Sequence, residues 1–314
     1  MLRYVALRGL KGIPVLLGVS LAVFMMLHAL PVDPVRMLAM DSMTGTAPTT
    51  GVSGDTYKNL RHQLGLDKPL AVQFVLFVWN AAHGNLGESF RNNRSVADML
   101  FEQLPSTIRL TAAGLAIAVL SGLALGIAAA LKPNSVLDTI SMGLAILGVS
   151  MPVFWLGLML IYIFSLWLNL VPAAARGPES VVLPAVTLGF QGSAIIARLT
   201  RGSLIEVLQS EYVRTAWAKG LSQWPVVVRH ALKNALVPVV TVVGLQFGSL
   251  LSGAVVIETV FARQGIGSLA VQGIVEHDFP LVQGFVLIAG VAYTLANILV
   301  DVLYAALDPR IRFE

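Results

Sequence analysis

Residues 110–131 read LTAAGLAIAVLSGLALGIAAAL, 22 consecutive positions without a charge. A helix needs roughly 20 such residues to cross a hydrocarbon core about 30 Å thick, so this stretch reads as a membrane span. Further charge-free runs cover 12–32, 139–175, 181–197, 234–257 and 279–300. The pattern predicts an all-α membrane protein with six transmembrane helices. The run over 139–175 is too long for one ordinary span and contains Gly148-Val-Ser-Met-Pro152. It reads as one long or kinked helix ending near Leu168, followed by a short loop, because two spans here would reverse everything downstream.

Composition agrees. Of the 314 residues, 56% are hydrophobic and 12% charged, half the charge of an ordinary soluble domain. The absence of cysteine excludes a disulfide scaffold, a thiolate metal site and a cysteine nucleophile. A net charge of +4 does not point to nucleic acid. Neither a phosphate-cradling G-x-x-x-x-G-K-[ST] loop nor an H-E-x-x-H or G-x-S-x-G motif is present. The five histidines are dispersed without metal-ligand spacing. No catalytic residue, cofactor or metal is therefore assigned to this chain, and nucleotide energy would have to come from another.

Loop charges set the expected orientation, since short cytoplasmic loops carry the excess of Lys and Arg. Arg3, Arg8 and Lys11 precede the first span, and the segment 198–233 holds six basic residues against Glu206 and Glu211. Both termini and this segment are expected in the cytoplasm, with the loops carrying Arg176 and Arg263 outside. The first apolar run exceeds a signal-peptide core and ends at Leu30-Pro-Val without a small-x-small site, so it is read as a retained span.

Four regions follow: the N-terminus and first span over 1–32, an external helical subdomain over 33–106, the transmembrane core over 107–305, and a tail over 306–314. The external region holds six basic and seven acidic residues; a loop of this length translocates regardless of charge. Helices are expected over 56–66, 70–82 and 91–103, with a turn at Gly84, Leu86 and Gly87. No internal repeat is visible; secondary transporters commonly carry duplicated halves, so a single six-span chain reads as half of a pore. Within the spans, Gly114, Ala118, Gly122, Gly126 and Ala130 form a small-residue face suited to close helix packing, and Gly244, Gly248 and Ser252 repeat it. The polar side chains Gln191, Ser193, Gln246 and Asn297 are the pore-lining candidates, with interhelical hydrogen bonding as the alternative. Glu258 and Asp301 sit near helix ends, where a cap or salt bridge competes with a transport role. Trp155, Tyr162, Trp167 and Tyr304 fit interfacial anchoring or core packing.

The segment 198–236 carries the specific signal. Tyr212 to Lys219 forms helix well and ends at Gly220, a residue suited to a left-handed C-cap, while Pro225 can open a second helix. Two short helices at a sharp angle result. No bilayer buries them, so Val213, Ala216 and Trp217 are expected to need a protein surface, which makes the segment a docking knob.

Here the chain resembles the inner-membrane permeases of ABC importers, whose cytoplasmic loop carries E-A-A, three residues, then Gly. Gly220 fixes the register, and Arg214, Thr215 and Ala216 occupy the E-A-A positions, with arginine in place of the acid. Arg214-Thr-Ala-Trp-Ala218-Lys219-Gly220-Leu221 with Arg229-His-Ala-Leu-Lys-Asn-Ala-Leu236 is similar to the form found in the peptide and nickel branch. The resemblance extends through Leu30-Pro-Val-Asp-Pro34, Leu64-Gly-Leu-Asp67, Gly84-Asn-Leu-Gly87-Glu88, Met151-Pro-Val-Phe-Trp155, Leu183-Pro-Ala-Val-Thr187, Gly253-Ala-Val-Val-Ile-Glu258 and Asp308-Pro-Arg-Ile-Arg312. The chain is identified as similar to the first permease subunit of dipeptide, oligopeptide and nickel importers. That resemblance implies a type I permease fold and ATPase coupling through Arg214, Thr215, Ala216, Ala218, Lys219, Gly220 and Leu221. It also implies a second, similar permease in a heterodimer, two cytoplasmic ABC ATPases that hold ATP and Mg, and a periplasmic binding protein that delivers substrate. Glu88 and Arg91 are candidates for docking that protein. Peptide is the expected cargo, with nickel chelates, glutathione and opines as alternatives.

Overall fold

The computed structural model of the chain describes residues 2–29, 54–63, 65–172 and 178–307. The Leu30–Pro34 and Asp308–Arg312 motifs, the tail from residue 308, and the loop residue Arg176 lie outside the described residues, as do the side chains of Asp301 and Tyr304.

The described residues form twelve helical elements. Helix α1 is Leu2–Ala29, α2 is Gly54–Gln63, α3 is Leu70–Ala82 and α4 is Val96–Leu131. Then come α5, Val136–Ser150, and α6, Val153–Leu160, which continues as a π-helical turn over Ile161–Trp167. Helix α7 is Val182–Leu208 and α8 is Glu211–Ala218. The composite helix α9 covers 223–235 through Gln223–Pro225, a π turn at Val226–Ala231, and Leu232–Ala235. Val237–Val260 forms α10, Ile266–Val275 α11 and Phe279–Leu307 α12. Five helices are long and apolar enough to cross a membrane, and the α5–α6 pair makes six when counted as one bent span.

The helix expected over 91–103 and the span expected over 110–131 are one element. Ser95 caps it, its Oγ accepting from the Asp98 N–H, so the helix starts at Val96, five residues later than expected. It does not stop at Pro105, although proline removes one internal bond. The next turn is instead tied across the bundle, where Ser106 Oγ donates to the Gln264 carbonyl at 2.6 Å and Thr107 Oγ1 to Glu258 at 2.5 Å. On the 33–106 side, α2 covers 54–63 of the expected 56–66 and α3 matches 70–82.

The long third stretch is broken at Met151 and Pro152, with 110° between its halves. Met151 is extended, as the residue before proline must be, and Pro152 opens α6. The pair nevertheless makes one crossing. Along α7, Arg201 bonds Asp138, Ala194 lies against Gly148, and Thr187 lies against Gly157. Those contacts advance through fourteen residues of α7, about 21 Å of rise, so the chain travels from one end of the bundle towards the other despite the bend.

At the centre α4 packs along α7. A Cβ added at Gly189 would stand 2.6 Å from the Gly114 carbonyl oxygen, and one at Gly126 equally near the Ala197 carbonyl. Gly122 meets Ile196, and Gly192 meets Ala118. All five members of the small-residue face are buried, so that face is a backbone-to-backbone seam. Gly248 of α10 similarly receives the Tyr293 ring of α12.

Candidate functional site

Helix α8 and helix α9 make a compact knob between the α7 and α10 spans. Ser210 is extended and starts α8, and Thr215 Oγ1 donates to the Glu211 carbonyl at 2.9 Å. The helix closes where the Lys219 N–H reaches the Thr215 carbonyl and Gly220 N–H reaches Trp217. Gly220 has φ +82, the left-handed conformation expected of the cap. The chain then turns through Ser222 into α9, whose first turn holds Pro225. Asn234 Nδ2 donates to the Tyr212 hydroxyl at 2.8 Å and locks the two helices together.

Burial corrects the expected binding face. Val213 and Ala216 need no foreign surface: they pack with Ala130, Leu204, Val226, Ala231 and Ala235 of the same chain. Their spacing of three residues turns them to one side of α8, and that side meets the knob ends of α4 and α7. The outward side presents Tyr212, Trp217 at 50% exposure, Leu221, and Trp224 at 67%. Of the coupling candidates, Arg214, Thr215, Ala218, Lys219, Gly220 and Leu221 are exposed while Ala216 is buried. Arg214 also pairs with Glu211 at 3.0 Å. Knob and bundle thus share one apolar cluster, with Ala130 of α4 and Leu204 of α7 in it.

A residue pair that sequence reasoning left out braces the same end. Arg201 Nε and Nη2 donate to the two Asp138 carboxylate oxygens at 2.6 and 2.7 Å, a bidentate fork across α7 and α5. Asp138 is buried and also accepts the Asn134 N–H at 2.9 Å. Its signal was a Ser-x-x-Asp start, Ser135 to Asp138, at the head of an apolar run, but nothing in the sequence named Arg201 as the partner.

The four polar candidates within the spans fall on three helices. Ser193 is buried and its Oγ donates to the Phe190 carbonyl of its own helix. Gln246 of α10 is buried, and its Nε2 lies 3.5 Å from the Gly192 carbonyl of α7, so it sits at the level of Gln191 and Ser193. Gln191 is half-buried there. Asn297 is half-buried on α12, one turn beyond the Tyr293 ring that fills the gap at Gly248.

At the far end of the bundle, Glu258 is wholly buried. It accepts from Thr107 and from the Gly267 and Ser268 N–H groups at 2.9 and 3.1 Å. Of the roles the sequence left open, the contacts are those of a cap: its carboxylate closes the α11 N-terminus. Arg263 beside it donates to Ser180 at 2.8 Å, and burial lowers its guanidinium pKa, with the nearby Glu258 opposing. Asp278 accepts from Ser89 Oγ and from the Phe90 N–H at 3.2 Å, pinning the 84–95 loop to α12. Of the docking candidates in that loop, Arg91 lies 3.7 Å from Glu276 and Glu88 is exposed, bridged to Ser95.

Comparison with known proteins accords with this arrangement. Residues 122–313 match the family described as binding-protein-dependent transport system inner membrane component, and residues 1–111 match its N-terminal domain. The glutathione transport system permease protein GsiC of Escherichia coli K12 is 42% identical over 315 residues, covering all of both chains. Its counterpart in Salmonella choleraesuis is 41% identical over the same extent. Among solved structures, an inward-facing MetNI methionine ABC transporter superposes with a TM-score of 0.56 at 16% identity, over 67% of this chain and 96% of that one. An amino acid ABC transporter superposes at 0.52, again at 16% identity, over 68% and 94%. A helical knob fused to a bundle of five or six apolar helices, with family matches along nearly its whole length, makes this chain a member of the binding-protein-dependent transport inner-membrane family, the permease subunits of ABC importers.

Proposed function

We propose that this permease forms half of a pore for small peptides, with glutathione, itself a tripeptide, as the first cargo to test. Full-length likeness to the glutathione permease GsiC supports that cargo. In this reading a periplasmic binding protein delivers substrate, a second, similar permease completes the pore, and two cytoplasmic ATPases hold ATP and Mg. Both termini and the knob face the cytoplasm, and the 33–106 region faces outward.

The observation that carries the mechanism is the two-sided knob: Val213 and Ala216 are buried in the chain's own cluster while Tyr212, Trp217, Leu221 and Trp224 are exposed. The outward side, with Arg214, Thr215, Ala218, Lys219, Gly220 and Leu221, seats in an ATPase cleft, and Ala216 holds the knob to the bundle. When the two ATPases close on nucleotide, the knob moves with them and carries α4 and α7, which share its cluster. Nucleotide and the loaded binding protein drive the switch only because each prefers one of the two states. In this reading Gln191, Ser193, Gln246 and Asn297 line the path; the contact of Gln246 Nε2 with the Gly192 carbonyl, which brings Gln246 to the level of Gln191 and Ser193, supports it.

The complete transporter in proteoliposomes tests this. ATP-driven uptake of labelled glutathione or a dipeptide, dependent on the binding protein, is expected. Uptake by this chain without ATP would replace the reading with a stand-alone carrier. Preferential binding of nickel chelates by the binding protein would replace the peptide cargo alone.

A further inference from the structure

Helix α3 is apolar on two sides. Gln73, Phe74 and Phe77 are half-buried on its inward side, and Gln73, Leu76, Phe77 and Asn80 line a cavity of about 500 Å³ bounded by α1, the 84–90 loop and the start of α12. Ala71, Val72, Val75 and Trp79 turn away from the protein, Val75 and Trp79 each 64% exposed, and no residue of the helix is fully buried. An outward apolar face of this kind requires an apolar partner. With 13 residues, about 20 Å long, α3 is too short to cross a bilayer.

Its depth identifies the partner. Helix α3 meets α1 in a small crossing: the Phe74 ring stands edge-on to Phe24 at 5.4 Å, and His28 Nε2 lies 3.2 Å from the Gln73 side-chain amide. Phe24 lies within the α1 span, which the structure describes as far as Ala29, five residues or about 7.5 Å of helix rise further on. Interfacial helices bury their apolar faces about 5–10 Å into the headgroup–acyl boundary. Met25 and Met26 of α1 are exposed at the same height, so the apolar surface of the span continues onto α3. The ends of the helix are polar, with Lys68 before Pro69 and His83 after Ala82, and Trp79 is a residue type favoured at that level.

We infer that α3 is an interfacial helix lying in the lipid boundary at the C-terminal end of α1, with Val72, Val75 and Trp79 among the acyl chains. Its partner is the lipid surface, and the cavity beneath it lies on the opposite side, towards α1 and α12.

The chain has no cysteine, so single nitroxide labels can report the environment in the complete transporter, assembled with cysteine-free partners in vesicles. The positions are Val72→Cys and Val75→Cys, with Met25→Cys as lipid reference and Asn92→Cys as water reference; retained uptake shows that each variant folds. The expected result is that labels at 72 and 75 collide more often with oxygen than with a water-soluble nickel chelate, as at 25 and opposite to 92. A nickel-accessible label at 75 would put α3 in water. Shielding from both reagents would put it under another protein, and either outcome overturns the inference. Family membership and ATP coupling are untouched by such a failure, since uptake is measured separately.

Discussion

Gly220 shows what one residue can decide. Nothing lies within 4 Å of where its Cβ would stand, yet φ is +82, so substitution there strains the backbone without a clash. A β-branched residue in this region costs about 1–2 kcal/mol, enough to shift the α8 cap and far too little to unfold the bundle. Gly220→Val is therefore expected to reach the membrane in normal amount and to lose most uptake per ATP hydrolysed, while Gly220→Asn, which tolerates the conformation, keeps more of it. Coupling in the valine variant equal to that of the parent would refute the role given to the knob. Asp138 and Arg201 give a second expectation. Removing one partner of a buried pair costs roughly 3–5 kcal/mol; because Arg201 is 27% exposed, about 2–3 kcal/mol is expected for Asp138→Asn, read as a lower unfolding midpoint in detergent. Reversing the pair, Asp138→Arg with Arg201→Asp, should recover part of it. The glycine was legible in the sequence because its meaning is local, a cap between two helices. The ion pair was not, because its partners lie 63 residues apart and only packing of α5 on α7 brings them together.

At the scale of elements, the α4–α7 seam dominates the bundle. Gly189→Leu would force side-chain atoms into the Gly114 carbonyl, where no flexible side chain can yield, and overpacking of this kind costs about 1–3 kcal/mol or more. The variant is expected to lose most of its monodisperse yield in detergent, whereas Gly143→Leu on α5, with nothing within 4 Å of its Cβ position, keeps it. Equal yields would mean that the seam is not what holds these spans. Periodicity exposed one side of this contact, the small residues of α4, because four-residue spacing is visible in a single helix. Its other side, Gly189 and Gly192, lacks that regular repeat and gave no comparable signal. The same limit explains one misread boundary and one bend whose size the sequence did not give. The sequence put a helix over 91–103 apart from the charge-free span at 110–131, although bonds from Ser106 and Thr107 to Gln264 and Glu258 carry α4 through. Pro152 announced a kink, while the 110° bend depends on α6 packing against α10 and Phe261.

For the whole molecule, the number and order of spans were legible because hydrocarbon imposes length and charge rules on sequence directly. The face that the knob keeps for a partner was not, since α8 has apolar residues on two sides and only the fold decides which side the chain covers itself. Val213 and Ala216 turn inward, leaving the aromatic side out. That division predicts a topology and a contact together. In a chain without native cysteine, Lys219→Cys or Leu221→Cys should react with an impermeant maleimide only from the cytoplasmic side, and Asn92→Cys only from the other. Adding the cognate ATPases to inverted vesicles should then slow labelling at 221 by about tenfold, the effect of a contact holding about 1.4 kcal/mol in place, and leave Asn92 unaffected. Labelling of 219 and 92 from one side would break the proposed orientation. Unchanged labelling at 221 with bound ATPase would leave the orientation standing and move the ATPase contact off the aromatic side of the knob.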